Sequence, residues 1–197
     1  MPEMNSVARF FVNLSASRRA ARICSWIRRE VSIPGGARCL EIGCGDGELA
    51  MRFLAEFGPT TYLATDVDAR QVDEAQRRVQ RRYPAGPPPA LSLRKADVLD
   101  LPFPDGSFDV SLAILAIHHS GPSHHDFTQI PTALAQLDRV LRPGGLLIYQ
   151  EFLHQEPIRK WLIDHGYSID RVRRRWRVES VVARKADGPP RPAPSMA

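Results

Sequence analysis

The sequence has few cysteines, no long apolar run and no zinc-type spacing of cysteine and histidine. Its three cysteines, Cys24, Cys39 and Cys44, are odd in number, which argues against a disulfide framework and favours a reducing, cytoplasmic compartment. The longest apolar runs, such as residues 112–117, are far shorter than the roughly 18 residues of a membrane-spanning helix. We therefore expect no membrane span, and the lack of a ligand cluster predicts no metal.

Acidic residues are absent between Glu3 and Glu30, in a segment rich in Arg and Ser. That composition alone would also suit a transit peptide. The apolar residues nevertheless recur at helical spacing, which favours one or two amphipathic helices that pack on a domain. We predict a helical cap over residues 1–33, with its apolar positions at Phe10, Phe11, Leu14, Ile23, Trp26 and Ile27.

The chain is long enough for one well-buried domain and short for two. It has 197 residues, of which 43% are hydrophobic and 25% are charged, a composition typical of a globular protein. The end of the chain, "DGPPRPAPSMA", has the composition of a frayed terminus. We predict a single domain over residues 1–186 and a disordered tail over residues 187–197.

Segments of strand character alternate with segments of helical length from residue 37 onward. This alternation is typical of right-handed βαβ units and a mostly parallel sheet. Two later runs, "YSIDRVRRR" and "WRVESVVARK", are separated by too little chain for a parallel crossover, so they should pair antiparallel. The sequence predicts a doubly wound α/β fold with a seven-stranded, mostly parallel sheet and a C-terminal antiparallel hairpin. The other predicted strands are "ARCLEIG", "TYLATDVD", "LSLRKADVLD", "SFDVSLAILAI" and "GGLLIYQEF".

The run "CLEIGCGDGELA" joins an apolar strand to the start of a helix. Glu41 precedes Gly43, Gly45 and Gly47, which stand at alternate positions. In an open α/β sheet, ligands bind at the carboxyl ends of the strands, usually beginning with this first turn. A dinucleotide fingerprint would need its third glycine where Glu48 stands, and a carboxylate there is a poor neighbour for a pyrophosphate. The dinucleotide fingerprint therefore fails on both spacing and charge.

The E-x-G-x-G-x-G pattern resembles motif I of the class I S-adenosylmethionine (SAM)-dependent methyltransferases. Three further stretches follow in the order of that family: "ATDVD", "KADVLDLPFPDGSFDV" and "LDRVLRPGGLLIY". The last two are similar to the type-11 branch, whose members act on small molecules. The resemblance covers nearly all of residues 37–186 and implies a Rossmann-like methyltransferase fold with SAM as the cofactor.

The resemblance also implies roles for particular residues. Asp66 would bond both ribose hydroxyls, Asp97 would accept from the adenine amino group, and the Val98 backbone would contact the ring edge. An alternative for Asp66 is a helix cap, a task that Asp68 could perform instead, and Cys44 reads as packing rather than a nucleophile. The predicted cofactor-binding residues are Glu41, Gly43, Cys44, Gly45, Gly47, Asp66, Val67, Asp97, Val98 and Ala113.

Methyl transfer to a hydroxyl, thiol or ammonium needs a group that removes a proton. The candidates lie beyond the fourth and fifth strands, with His119 first, then His118 and Glu151, and also His124 and His125 in the following loop. One of these rings could instead pack against the methionine arm of SAM. The sequence leaves both roles open.

Basic charge is concentrated near the C-terminus. Residues 168–186 contain seven basic and two acidic residues, a surplus that equals the net charge of +5 of the whole chain. The run "RVRRRWR" could bind nucleic-acid phosphates while Trp176 stacks on a base, or it could be a hairpin with one solvated and one mostly packed face. The leading hypothesis is a methyltransferase with a small-molecule acceptor. The alternatives are an RNA methyltransferase or RNA-binding protein and a SAM-binding protein without catalysis.

Overall fold

The computed structural model describes the backbone of residues 6–121, 123 and 126–188, and their side chains from residue 16 onward. The helices and strands, in chain order, are α1 (Ser6–Glu30), β1 (Arg38–Ile42), α2 (Glu48–Phe57), β2 (Thr61–Asp66), α3 (Ala69–Arg82), β3 (Leu91–Lys95), β4 (Phe108–Ile114), a short 3-10 helix (Ile117–His119), α4 (Ile130–Val140), β5 (Leu141–Glu151), α5 (Gln155–Asp164), β6 (Tyr167–Arg175) and β7 (Val178–Lys185). The seven strands belong to one sheet of order β3-β2-β1-β4-β5-β7-β6, which confirms the predicted fold class. The chain divides after Ala96 into two compact units, described in turn.

The first unit is built on the parallel strands β1, β2 and β3. Helix α2 lies between Gly47 and Gly58, which both have positive φ and so begin and end it with backbone that favours glycine. Helix α3 begins after Asp68, whose carboxylate accepts a hydrogen bond from the Arg70 N–H at 2.9 Å. The core contains the fully buried Leu40, Ala50, Phe53, Tyr62, Ala64 and Ala75.

Helix α1 occupies the segment for which one or two helices were predicted, and it is a single helix. Its C-terminal half buries Ile23, Trp26 and Ile27 and contacts α2, where Arg28 forms an ion pair with Glu56. Residues 1–5 and the side chains of Phe10, Phe11 and Leu14 lie outside what is described. The helix is confirmed, and its role as a cap stays a prediction.

The second unit pairs β4 with β5 in parallel, and β5 with β7 and β7 with β6 antiparallel. Strand β5 begins earlier than predicted, at Leu141 rather than at the glycine pair. The pairing moves from Phe108↔Leu141 to Val110↔Leu146, so residues 142–145 form a bulge in which Gly144 has φ of 70°. The Pro-Gly-Gly turn is therefore inserted within the strand rather than placed ahead of it.

The predicted C-terminal hairpin is present, but its packed face is not. Val172 and Trp176, expected to pack, are exposed, whereas β7 buries Val181, Val182 and Ala183. A bulge between Ile169 and Arg171 breaks the alternation of β6, and residues 171–177 are all exposed, so neither face of this part of the hairpin packs. The expectation from strict alternation was therefore wrong for this half of the strand.

None of the helices in the described part of the chain is both long and apolar enough to cross a bilayer. The single domain predicted over residues 1–186 stays a prediction. The predicted disordered tail falls, beyond Gly188, outside the described residues.

Candidate cofactor and active site

The glycine loop between β1 and α2 depends on left-handed backbone at three positions. Gly43, Gly45 and Gly47 have φ of 65°, 52° and 74°, values that side chains adopt only at a cost. A Cβ on Gly47 would lie 3.0 Å from Ala75 Cβ on α3, whereas a Cβ on Gly45 would meet no atom within 4 Å. Gly47 therefore serves helix packing, and Gly45 leaves open space above the loop.

Asp66, at the carboxyl end of β2, is tied to this loop. Its Oδ2 accepts a hydrogen bond from the Gly45 N–H at 3.0 Å, and its Oδ1 accepts one from the Asp68 N–H at 3.0 Å. Burial raises the pKa of the Asp66 carboxyl, and backbone hydrogen bonds from Asp68 and Gly45 oppose that rise. The helix-cap task belongs to Asp68, which leaves Asp66 as the acceptor next to the glycines.

Glu41 is buried in β1 rather than open to the loop. Its Oε2 accepts a hydrogen bond from the Tyr62 hydroxyl at 2.9 Å, and its backbone carbonyl accepts one from Thr65 Oγ1 at 2.8 Å. Burial raises the pKa of Glu41 to about 8, so the side chain is mostly neutral at pH 7. Glu41 thus joins β1 to β2, and it brings little negative charge to the glycine loop at this pH.

Arg78 of α3 holds the start of α2 in place. Its guanidinium lies 3.1 Å from a carboxylate oxygen of Asp46 and 3.1 Å from one of Glu48. The Asp46 carboxylate also accepts from the Glu48 N–H at 3.2 Å, which satisfies one of the free amides at the helix N-terminus. The sequence interpretation missed Arg78, although two acids flanking Gly47 signal the need for a nearby cation.

Two further predicted residues of the first unit differ in exposure. Cys44 is buried, and burial raises the pKa of its thiol well above the ordinary value, so it is inert as a nucleophile. Val67 follows Asp66 with 48% of its surface exposed. An exposed apolar side chain at the carboxyl end of a parallel strand can contact a ligand.

In the second unit, Asp97 and Val98 begin the loop after β3. Asp97 is exposed, and its Oδ1 accepts a hydrogen bond from the Leu99 N–H at 2.9 Å. Val98 is half-buried. Ala113, in contrast, is completely buried within β4, so its side chain offers no surface to a ligand.

Glu151 and His118 form a buried pair at the ends of β5 and β4. Glu151 Oε2 lies 2.6 Å from His118 Nδ1, and Glu151 Oε1 accepts from the Ile117 N–H at 2.8 Å and from the His118 N–H at 3.4 Å. His118 is 2% exposed and Glu151 has no exposed surface. A carboxylate bound on both oxygens fixes the orientation of the imidazole and of the 3-10 helix.

His119 is the exposed member of the predicted catalytic set. Its ring centroid lies 4.0 Å from that of His118, and the centroid of the Phe152 ring lies 4.7 Å from that of His118. The structure thus brings His118, His119 and Glu151 together, as expected from their positions after neighbouring strands. His124 and His125 lie outside the described residues.

Aromatic side chains after β4 and β5 were not singled out by the sequence interpretation. Phe152 is 41% exposed, and the rings of Phe127 and His154 lie 5.5 Å apart. The only sequence signal for them is their place in loops that follow the carboxyl ends of strands.

Within the described residues, no group of three or more His, Cys, Asp or Glu could hold a metal ion.

The parallel strands, the glycine loop and the acid at the end of β2 define an α/β fold of the class whose ligands bind at the carboxyl ends of the strands. The chain matches the methyltransferase domain family over residues 40–149. It therefore belongs to that family, in the type-11 branch of the SAM-dependent methyltransferases, and the family's cofactor is SAM.

Two curated relatives illustrate the match. A 27-O-demethylrifamycin SV methyltransferase from Amycolatopsis mediterranei is 36% identical over 60% of this chain and 39% of its own length. A 2-phytyl-1,4-naphtoquinone methyltransferase from Nostoc sp. is 31% identical over 77% of this chain and 58% of its own. The chain thus spans 39% and 58% of the length of these relatives.

A solved structure gives the same fold. Magnesium protoporphyrin IX methyltransferase from Synechocystis, with bound SAM, is 19% identical, has a TM-score of 0.67, and matches 94% of this chain and 86% of its own. At this identity the likeness supports the fold alone.

Proposed function

We propose that this chain is a SAM-dependent methyltransferase whose acceptor is a small molecule with a hydroxylated, planar ring. Family membership supports the reaction class, and the relatives named above carry small-molecule acceptors in their names. The residue roles below are part of the proposal.

The residues around the glycine loop fit the cofactor. SAM carries a ribose with two hydroxyls, an ammonium and a sulfonium, and it has no phosphate. Asp66 can accept hydrogen bonds from hydroxyls with its remaining lone pairs, and the open space at Gly45 admits close approach of a ligand to backbone. In this proposal Glu41 and Gly47 act by shaping the loop, and the residues that contact the cofactor are Gly43, Cys44, Gly45, Asp66, Val67, Asp97, Val98 and Ala113, the last only through its backbone.

One observation carries the cofactor assignment: the hydrogen bond of 3.0 Å from the Gly45 N–H to Asp66 Oδ2. It fixes a carboxylate beside the glycine that has free space above it. Asp68 caps α3, and Asp66 uses only Oδ1 for the Asp68 N–H, so the bond from Oδ2 to the glycine loop is separate from the helix start.

The chemistry assigned to the second unit is removal of a proton from the acceptor. SAM, when bound, supplies an electrophilic methyl group. His119 accepts the proton of the acceptor hydroxyl, because it is the exposed residue of the three predicted and a base must reach its proton. Glu151 and His118, being buried, position the turn that carries His119.

The class of acceptor follows from aromatic side chains in the loops after β4 and β5. The exposed Phe152 ring and the rings of Phe127 and His154 suit stacking on a planar ring, which aromatic side chains favour in offset or edge-to-face arrangements. The naphtoquinone in one relative's name is a planar ring system, and the letter O in the other name, 27-O-demethylrifamycin, marks an oxygen as the methyl acceptor of that enzyme.

The alternatives named above have less support. The matched relatives are small-molecule enzymes, which favours neither an RNA methyltransferase nor a non-catalytic SAM-binding protein.

The three cysteines are free thiols and all buried, which supports a reducing, cytoplasmic location as part of this proposal.

Two measurements test the proposal. Calorimetry with SAM and with its demethylated product, S-adenosylhomocysteine, should show binding to the folded chain, and binding of neither would refute the cofactor assignment. A panel of phenols, quinols, thiols and amines with labelled SAM should then give turnover with ring hydroxyls. Turnover only with amines or thiols would overturn the acceptor class, and SAM binding without any turnover would favour the non-catalytic alternative.

A further inference from the structure

The tip of the C-terminal hairpin carries an exposed tryptophan on a tight turn. Arg175 pairs with Val178, so Trp176 and Arg177 alone form the connection between β6 and β7. Trp176 is 94% exposed and has φ of 60°. Its indole therefore makes almost no contact with the rest of the molecule.

Tryptophan is a costly choice for this backbone position. Positive φ in two-residue turns favours glycine, asparagine or aspartate, and it is an outlier for a bulky side chain. Packing does not offset this backbone strain, because the side chain is exposed. A strained residue that stabilises nothing locally points to a role in contact with another surface.

The strand that leads to the tip is strongly cationic. Five arginines occur within residues 171–177, with no acid among them. Arg174 is neutralised by the buried Glu179 at 2.7 Å, and that carboxylate also pairs with Arg159 at 3.0 Å. Arg173, Arg175 and Arg177 are exposed and extend the positive charge to either side of Trp176, and Val172 is 43% exposed.

We propose that this hairpin tip, residues 171–177, docks the protein on the surface of an anionic lipid bilayer. Tryptophan prefers the headgroup level of a membrane, and arginines beside it are attracted to anionic headgroups. This arrangement does not require a spanning segment. The proposal stands independently of methyl transfer, because it rests on the hairpin alone.

Nucleic acid is the competing partner for the same charges. Single-stranded nucleic acid is bound in grooves where several aromatic side chains stack on successive bases. Here the indole stands alone at the end of a protruding turn, and the other exposed residues of the tip are arginines and Val172. A projecting aromatic side chain flanked by arginines can insert into the headgroup layer of a bilayer, which is reached from one side only.

The first experiment measures sedimentation of the full chain with vesicles. Vesicles of equimolar phosphatidylcholine and phosphatidylglycerol should bind it, and vesicles of phosphatidylcholine alone should bind it far more weakly. The double variant Arg173→Glu/Arg175→Glu should weaken binding by at least about 20-fold, since each lysine or arginine near the surface contributes roughly fivefold. The matched control Arg82→Glu/Arg94→Glu makes the same change in net charge at exposed positions of the first unit, and should bind within about threefold of the unaltered chain once net charge is screened by salt.

A second variant separates docking from stability. Trp176→Asn places a residue that tolerates positive φ, so the melting temperature should rise by about 2 °C while vesicle binding weakens. Quenching of tryptophan fluorescence by brominated lipid should be present in the unaltered chain and lost in this variant.

Several outcomes would overturn the proposal. They are equal losses in the two double variants, unchanged vesicle binding by Trp176→Asn, and no binding to anionic vesicles. Salt-sensitive binding to a single-stranded RNA oligomer that exceeds vesicle binding would assign the hairpin to nucleic acid instead.

Discussion

At the scale of single residues, neighbouring acids have separate tasks. Asp66 and Asp68 are two positions apart, yet the first bonds the glycine loop and the second caps α3. Glu41 is close by and buried against Tyr62. Sequence pattern identifies all three as acids near the loop, and only the hydrogen bonds separate their roles.

Changing Asp66 to Ala should weaken SAM binding by about 1.5–3 kcal/mol, a rise in Kd of roughly 10- to 150-fold, because a charge-assisted pair of contacts is lost. Calorimetry measures the Kd. The matched variant Asp68→Ala should lower the free energy of unfolding by about 1 kcal/mol through loss of the cap and leave the Kd unchanged. Unchanged affinity in Asp66→Ala, or a loss in Asp68→Ala, would move the ribose contact away from Asp66.

Changing His119 to Ala should lower kcat by roughly 10²–10⁴-fold if this ring is the general base. The Kd for SAM should stay near that of the unaltered enzyme, and the acidic limb that a general base gives to the kcat–pH profile should disappear. The comparison variant His118→Ala should lower the melting temperature and keep the limb. A profile without such a limb in the unaltered enzyme would contradict the role, and loss of the limb in His118→Ala alone would transfer it to His118.

At the scale of the elements, the glycine loop and α3 share one close contact. The approach of Gly47 to Ala75 lets α2 begin against α3, and Arg78 one turn further along α3 pairs with Asp46 and Glu48. Helix α3 therefore supports both the conformation and the charge balance of the loop.

Two alanine substitutions should separate the structural and ligand-facing parts of the loop. Gly47→Ala combines a positive φ with a Cβ contact of 3.0 Å and should cost about 2 kcal/mol or more of stability. Gly45→Ala meets only the backbone cost, about 1 kcal/mol, but its methyl fills the open space and should weaken SAM binding by more than tenfold. Urea unfolding measures the free energy of unfolding, and calorimetry measures the Kd for SAM. Adding Ala75→Gly should recover part of the loss in Gly47→Ala, and no recovery would mean that backbone strain alone accounts for the cost.

Most helices and strands could be predicted, because the helices bury one face and strands such as β1 and β4 are short, nearly continuous apolar runs buried on both faces. Bulges could not, since they depend on which residues of two strands pair. The bulge at residues 142–145 moved the start of β5, and the one after Ile169 breaks the alternation of β6. Partners distant in sequence also stayed hidden: the His118–Glu151 pair spans 33 residues, and sequence alone suggested proximity but not the bond.

At the scale of the whole molecule, the buried carboxyl of Glu41 makes stability depend on pH. Burial raises the pKa of Glu41 from 4.5 to about 8. Between these values the folded chain holds a proton that the unfolded chain has released. The contribution of Glu41 to the free energy of unfolding is therefore full below pH 4.5 and declines as pH rises through 8.

The variant Glu41→Gln should remove this dependence while keeping an oxygen for the Tyr62 hydroxyl. In the unaltered chain the Glu41 contribution has a slope of up to about 1.4 kcal/mol per pH unit between pH 5 and 8. Urea unfolding at several pH values measures the slope for both proteins. A slope that is equal in the two proteins would mean that Glu41 is ionised when folded. Glu41 would then contribute a negative charge beside the glycine loop.

The net charge of the molecule has a single main source. The surplus of five basic residues in residues 168–186 equals the net charge of +5, so the remainder of the chain is balanced. Composition alone predicted this surplus, but it could not reveal that Trp176 stands exposed at the hairpin turn.

The buried thiol between the glycines has a practical consequence. Cys44 is 6% exposed, and its reaction with a disulfide reagent requires the loop to open, because a thiol must first be accessible and deprotonated. Labelling rates at Cys44, resolved from those of Cys24 and Cys39 by peptide mass, therefore report how often the loop opens. Any ligand that covers the loop should slow this reaction. The labelling rate of Cys44 therefore measures the fraction of molecules whose loop is occupied by ligand.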